Sequence, residues 1–185
     1  MPSAARSALR QEALDALRAL HAEIDREADR LSNRHAERLQ CGRGCSACCL
    51  DDLTVTTLEA ERIRNAHPEL LAQGTPRAPG GCAFLDDAGA CRVYEDRPSV
   101  CRTQGLPLRV FGEDEDEEIF EHRDICSLNL DGGPPLDSLD EDDCWLVGPF
   151  DLRLAALDEL FGGDDESRIA LRSLWHAHLR MRSDD

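Results

Sequence analysis

Apolar residues recur at helical spacing along the first forty residues, among alanine, arginine and glutamate. These apolar residues are Leu9, Leu17, Leu20, Ile24, Leu31 and Leu39. The spacing places most of them on one face of an α-helix, and the residues between them are good helix formers. The pattern predicts an amphipathic helix across residues 1–40, or two helices with a break near Ser32–Asn33.

Shorter apolar runs separated by turn residues follow. After the apolar segment Leu53–Val55, Thr56 and Glu59 have the spacing of a capping box, in which each residue caps the other at a helix start. Gly74 ends that helix, since glycine is favoured just past a helix terminus. A helix is therefore predicted between Thr56 and Gly74.

Two hairpins and two further helices are predicted downstream. The segments Cys82–Leu85 and Cys91–Tyr94 flank the turn sequence DDAG, and residues 106–126 form the second hairpin, with acidic residues 113–118 at its tip. Helical patterns then occupy positions near 151–161 and 165–181. The fold class predicted is mainly α with small β-hairpins, in an irregular cysteine-rich domain organised by a metal.

The domain organisation predicted from these patterns has three segments. Residues 1–40 form the N-terminal helix, 41–130 a cysteine-cluster core, and 131–185 a loop and C-terminal helices that pack on the core. The chain has only five Phe, two Trp and one Tyr. A core so poor in large rings favours an additional cross-link, and nine cysteines could supply it.

The net charge of the chain limits the kinds of molecule that it is expected to bind. Lys and Arg number 21 against 38 Asp and Glu, which gives a formal net charge of −17. Such a surface repels nucleic acid and anionic membranes, and no apolar run is long enough to span a bilayer. We expect a cytoplasmic protein, with a protein partner possible through the N-terminal helix or the acidic surface.

The spacing of the cysteines carries the chemical information. Clustered cysteines in a cytoplasmic protein indicate metal or redox chemistry rather than disulfides. Cys45 and Cys48 are separated by two residues, a spacing that lets two thiolates meet one metal ion. Cys41 is near enough to join them or to bind a second metal. The adjacent Cys48 and Cys49 are harder to place on one ion, because successive side chains diverge.

Other side chains are weaker candidates for this chemistry. Cys144 lies outside the clusters and beside Trp145, where a small buried thiol is the simpler interpretation. His35 precedes the first cysteine cluster and His122 precedes Cys126, so either could complete a site, although each is expected to be an ordinary helix or surface histidine. Pure thiolate donors suit zinc and iron–sulfur clusters alike.

The cysteine pattern resembles a known family. The first cluster, CGRGCSACC, is followed by a helix and then by CAFL and CRVYEDRPSVCR. This arrangement is similar to the CxxCxxCC zinc- or iron-chelating family, the YkgJ-like cysteine-cluster proteins, over about residues 41–126. The resemblance implies a small bacterial metal-binding protein, with Arg97, Pro98 and Arg102 as the accompanying motif. The ligands it implies are Cys41, Cys45, Cys48, Cys49, Cys82, Cys91, Cys101 and Cys126.

Several functions fit a cysteine cluster of this kind. The first is metal binding, with zinc or an iron–sulfur cluster such as [4Fe-4S] held by thiolates. The second is a cluster-dependent redox or group-transfer enzyme, with an open iron or a reactive thiol such as Cys49 or Cys101. A zinc or iron metallochaperone and a metal-free thiol switch are further alternatives. The residues do not identify a catalytic group or a substrate.

Overall fold

The fold was analysed in a computed structural model, which describes residues 3–42, 44–113, 118–163 and 168–175. Helices are the most extensive elements, and the strands are short, which confirms the predicted fold class of mainly α with small β-hairpins. In chain order the helices and strands are α1 (Ser3–Arg34), β1 (Thr54–Val55), α2 (Thr57–Ala66), α3 (Pro68–Gln73), α4 (Ser99–Arg102), β2 (Leu108–Glu113), β3 (Ile119–Asp124), β4 (Trp145–Leu146), α5 (Pro149–Phe161) and β5 (Ile169–Ala170).

Helix α1 is one uninterrupted helix that ends at Arg34, so the predicted alternative of a break near Ser32–Asn33 is wrong. The buried positions of its apolar face are Ala13, Leu14, Leu17, Leu20, Ile24, Ala28 and Leu31. Leu9 is 44% exposed, so the buried face begins later than the sequence pattern predicts. Nowhere in the described residues is a helix both long and apolar enough to cross a membrane.

The chain divides into two compact units, each assembled from separate segments. The first unit comprises Met1–Arg18, Arg43–Pro98 and Ala155–Asp185, and the second comprises Ala19–Gly42 and Ser99–Leu154. The three consecutive segments predicted from the sequence are a different kind of division, and they remain a prediction.

An apolar core organises the first unit. Phe84 and Trp175 lie at its centre, with ring centroids 5.4 Å apart, and both are almost fully buried. Leu171 and Leu174 complete the C-terminal contribution to this core. Strand β5 pairs antiparallel with β1, which holds the C-terminal segment beside the start of α2.

Helix α2 begins with the capping box that the sequence predicts. The Thr56 hydroxyl accepts a hydrogen bond from the Glu59 amide at 3.2 Å, and the Glu59 carboxylate accepts one from the Thr56 amide at 3.3 Å. These contacts satisfy two amides that lack partners within the helix. The predicted helix is divided at His67, where α2 ends and Pro68 begins α3.

A three-stranded sheet forms part of the second unit. Strands β2 and β3 are the antiparallel hairpin predicted within residues 106–126, and β4 adds to β2 in parallel. Residues 114–117 of the predicted acidic tip lie outside the described residues. Trp145 of β4 stacks on Phe150 at the start of α5, with ring centroids 5.0 Å apart.

Two local predictions differ from the structure. Ile169–Ala170 forms strand β5 within the predicted helix 165–181, because its backbone pairs with β1; residues 164–167 and 176–185 lie outside the described residues. The predicted hairpin at 82–94 is reduced to one antiparallel bridge between Leu85 and Cys91. The Tyr94–Asp96 turn of 3₁₀-helix follows and ends the pairing.

Candidate metal centre

A tight turn carries the first cysteines of the first unit. The Cys49 amide donates to the Ser46 carbonyl at 3.0 Å, and the Leu50 amide donates to the Cys48 carbonyl at 3.0 Å. Gly44, two residues before this turn, has a φ of 90°, a conformation that glycine adopts without strain. The sequence folds locally in this way because Ser46 and Ala47 are small and the preceding glycine is permissive.

Backbone hydrogen bonds join this turn to the segment that carries the next two cysteines. The Cys82 amide donates to the Cys49 carbonyl at 2.9 Å. The bridge between Leu85 and Cys91 then brings Cys91 back beside the same segment. Cys82 belongs to the apolar core, and Cys49 and Cys91 pack against that core.

Four thiols of the first unit form an interacting group, which we call the thiol cluster: Cys48, Cys49, Cys82 and Cys91. Burial is the main cause that raises the pKa of the Cys49 thiol, to about 12, and the neighbouring thiols of Cys48, Cys82 and Cys91 raise it further. Cys48 is also hydrogen-bonded to Cys49. The structure therefore brings both members of the Cys48–Cys49 pair into one neighbourhood, although successive side chains were expected to diverge.

Amide donors and positive charge surround the sulfur atoms of the cluster. Burial raises the pKa of the Cys82 and Cys91 thiols, whereas the amides of Phe84 and Val93, which donate hydrogen bonds to them, act in the opposite direction. Arg92 also lowers the pKa of both thiols. Amide donors and guanidinium charge are the features that stabilise a thiolate when a metal takes the place of its proton.

The arginines near the cluster are fixed by contacts of their own. Arg92 donates to the Ala83 carbonyl at 2.7 Å, and its guanidinium lies 4.8 Å from the centroid of the Trp175 ring. Arg97 donates to the Tyr94 carbonyl at 2.9 Å and contributes positive charge to the surroundings of Cys91. Arg43 lies outside the described residues.

The cysteines of the second unit have different surroundings. The Cys41 sulfur accepts a hydrogen bond at 3.3 Å from the side-chain amide of Asn129, which is fully buried. The same amide donates to the Gly105 carbonyl at 2.8 Å, and its oxygen accepts from the Gln40 amide at 2.7 Å. The Asn129 backbone amide donates to the Cys126 carbonyl at 2.8 Å, so one asparagine connects the neighbourhoods of two predicted ligands.

The remaining sulfur positions are distributed between the two units. Cys45 is half-buried in the first unit, and Cys101 lies on α4 in the second. Cys144 is buried, and its pKa is raised mainly by burial, with the charges of Arg123 and Asp143 nearby. All nine cysteines are present as thiols.

The two candidate histidines occupy ordinary positions. His35 is buried, and its Nε2 lies 2.7 Å from the Asp143 carbonyl, where the ring donates a hydrogen bond. His122 is exposed on β3, opposite Val110.

Arg102, an arginine of the motif that the family resemblance implies, is buried and forms an ion pair with Asp25.

The donor set of the thiol cluster suits a thiophilic metal. Four sulfurs lie in one neighbourhood with amide donors and arginines, which is the chemistry that zinc and iron–sulfur centres use. Among the residues that the structure describes, no group of three or more His, Cys, Asp or Glu side chains is spaced to hold a metal ion. The four thiols are thus neighbours that do not form a closed coordination shell.

Comparison with family models matches residues 40–127, a little under half of the chain, to the domain described as "CxxCxxCC: putative zinc- or iron-chelating domain". We refer to residues 40–127 as the CxxCxxCC domain, after the model that they match. The resemblance noted in the sequence is thereby confirmed, and the CxxCxxCC domain contains all eight cysteines that the resemblance implies as ligands. Cys144 lies beyond it. Searches of curated proteins and of solved structures returned no match.

Sequence reasoning missed two residues that contact the cysteine segments from outside the CxxCxxCC domain. Asn129 lies just after its C-terminal boundary, in a short turn that gave no motif. Arg172 lies far beyond it, and its guanidinium interacts with Asp51 and with the carbonyl that precedes Cys82. The spacing of the cysteines does not indicate either contact, because each joins residues that are distant in the chain.

Proposed function

We propose that the protein binds zinc or an iron–sulfur cluster through clustered cysteine thiolates. The family description and the nine cysteines support a metal-binding role. The observation that supports the proposal most directly is the thiol cluster, in which burial and three neighbouring thiols act on Cys49. Cys45 is close in sequence to this cluster, and Cys41, Cys101 and Cys126 remain the further ligands that the family resemblance implies.

The surroundings of the thiol cluster supply what a thiolate centre needs. Four thiolates around Zn²⁺ or around a [4Fe-4S] cluster leave about two net negative charges. Arg92 and Arg97 provide positive charge beside Cys91, and the amides of Phe84 and Val93 donate to sulfur. Two arginines of a strongly acidic chain thus lie where a thiolate centre would concentrate negative charge.

A bound metal would also cross-link segments that lie far apart in the sequence. Cys49 is joined to Cys82 by one backbone hydrogen bond, and the core beside them contains few aromatic rings. Structural zinc sites contribute on the order of 10 kcal/mol to the folding of small domains. The proposed role is therefore structural as well as ligand-binding.

The test is anaerobic purification of the full chain, followed by measurement of zinc, iron, acid-labile sulfide and the visible spectrum. Colourless protein with stoichiometric zinc identifies a zinc centre. Visible absorption with equal iron and sulfide identifies an iron–sulfur centre and makes cluster-dependent chemistry the next question. Folded protein with neither metal, and none taken up after reduction, contradicts the proposal.

A further inference from the structure

A hydrogen-bonded connection within the first unit joins its C-terminal segment to the two cysteine segments. Arg172 lies between β5 and the end of the described chain, and the family match ends well before it. Its side chain is less than one-quarter exposed and forms an ion pair with Asp51. Asp51 follows Cys49 by two positions, so this contact reaches the turn that carries the first part of the thiol cluster.

The same guanidinium contacts the segment that carries Cys82. Its Nη2 donates to the Gly81 carbonyl at 3.0 Å, and its Nη1 donates to the Arg77 carbonyl at 2.7 Å. The second oxygen of Asp51 accepts from the Gly80 amide at 3.2 Å. Arg172 and Asp51 together therefore connect the turn containing Cys49 with the loop immediately before Cys82.

The geometry of the side chain makes this role specific to arginine. The planar guanidinium directs several N–H groups at separate acceptors, whereas lysine offers one compact ammonium. The surrounding core holds Arg172 in place, because Leu171 and Leu174 on either side of it are buried. Strand β5, immediately before it, is paired with β1.

We propose that Arg172 is a positioning residue for the thiol cluster, which fixes the Cys48–Cys49 turn against the Cys82 loop and thereby sets the affinity for metal. This inference rests on the proposed function. It assigns to the C-terminal segment, outside the CxxCxxCC domain, a part in the metal centre. Residues that orient metal ligands from outside the coordination shell typically change metal affinity 10- to 100-fold when they are replaced.

The experiment compares Arg172→Lys, Arg172→Gln and Asp51→Asn with Arg168→Gln in the full chain. Arg168 is a matched control, because it lies in the same segment and carries the same charge but donates to Thr54 rather than to a cysteine segment. Reduced, metal-free proteins are titrated with Zn²⁺ against a chromophoric chelator and with Co²⁺, whose sulfur-to-metal absorption reports thiolate ligation. Far-UV circular dichroism measures the folded helix content.

We expect Arg172→Lys, which keeps the charge, to bind Zn²⁺ about 10-fold more weakly, and Arg172→Gln and Asp51→Asn about 10- to 100-fold more weakly. The cobalt–thiolate absorption falls in the same variants while Arg168→Gln retains the wild-type values. If Arg172→Gln does not fold, Arg172→Lys and Asp51→Asn decide the question.

The two proposals fail in different ways. Wild-type protein that takes up neither Zn²⁺ nor Co²⁺ contradicts the proposed function itself. Wild-type protein that binds both ions, with Arg172→Lys and Asp51→Asn indistinguishable from Arg168→Gln, overturns the positioning role alone. A loss of helix content without a change in affinity also overturns it, because Arg172 then supports only the fold.

Discussion

Cysteines in the two units are held by different kinds of neighbour. In the first unit, burial and three other thiols raise the pKa of Cys49, and backbone amides and arginines lie beside the thiol cluster. In the second unit, Cys41 accepts a hydrogen bond from the neutral, buried Asn129, and Cys144 lies among charged groups of the hairpin. Cysteine is therefore part of the thiol cluster in the first unit, whereas in the second unit Cys41 and Cys144 have neighbours that are not thiols.

This difference shows why a cysteine count alone does not define a metal site. The CxxCxxCC domain includes cysteines from both units, and its pattern does not distinguish them. The structure distinguishes them by burial against an apolar core, by proximity to other thiols and by the charge nearby. The first unit supplies all three features, and we expect perturbations there to affect metal binding as well as stability.

The largest stability effect is expected for Phe84→Ala in the first unit. Phe84 is 1% exposed and packs on Trp175, so its truncation leaves a cavity and lowers the free energy of unfolding by about 3–5 kcal/mol. Metal content should fall with it, because Cys82 belongs to the same core. Denaturant unfolding and metal analysis are the measurements.

The matched control is Phe111→Ala in the second unit. Phe111 is 48% exposed on β2, and its truncation should change the free energy of unfolding by no more than about 0.5 kcal/mol. Equal losses of stability for the two phenylalanines would mean that the apolar core around Phe84 does not support the first unit as described.

A smaller loss is expected for Asn129→Ala in the second unit. The variant leaves the Gln40 amide and the Gly105 carbonyl without their buried partner, which should cost about 2–4 kcal/mol of unfolding free energy. Thermal or denaturant unfolding measures the change. Asn33→Ala on the exposed surface of α1 is the control, and an Asn129 variant as stable as that control contradicts the proposed importance of this polar contact.

The smallest effect is expected for Thr56→Ala at the start of α2. Loss of the hydroxyl acceptor leaves the Glu59 amide uncapped and should lower the free energy of unfolding by about 1 kcal/mol. Thr75→Ala in the exposed loop after α3 provides the comparison, also by denaturant unfolding. The cap makes no hydrogen bond to a cysteine in the contacts described above, so metal content should be unchanged, and a Thr56 variant with altered metal content would contradict this expectation.

Local patterns predicted much of the fold. The period of α1, the capping box at Thr56 and the β2–β3 hairpin all depend on residues close together in the chain. Strand β5 was missed because its pairing with β1 joins residues more than one hundred positions apart. A two-residue strand is too short to show the alternation of a strand in the sequence. The helical spacing of the apolar residues around it therefore predicted a helix.

Spacing predicted that Cys45 and Cys48 could share one metal, and the family resemblance implied the eight candidate ligands, but neither indicated how the thiols are grouped. Cys48 and Cys49 were expected to diverge, yet Cys48 is hydrogen-bonded to Cys49 within the thiol cluster. The turn geometry and the backbone bond from Cys82 bring this about, and neither is visible in a sequence motif. Arg172 and Asn129 were missed for the same reason, since their importance comes only from tertiary contacts.

The central claim is that the thiol cluster holds the metal, and the most direct test is the metal content of single-cysteine variants. Cys49→Ser and Cys82→Ser, purified anaerobically as full chains beside Cys144→Ser, differ only in which sulfur is lost. The account predicts that Cys144→Ser retains the wild-type metal per chain and that the two cluster variants retain markedly less. Cluster variants that keep as much metal as Cys144→Ser would contradict it.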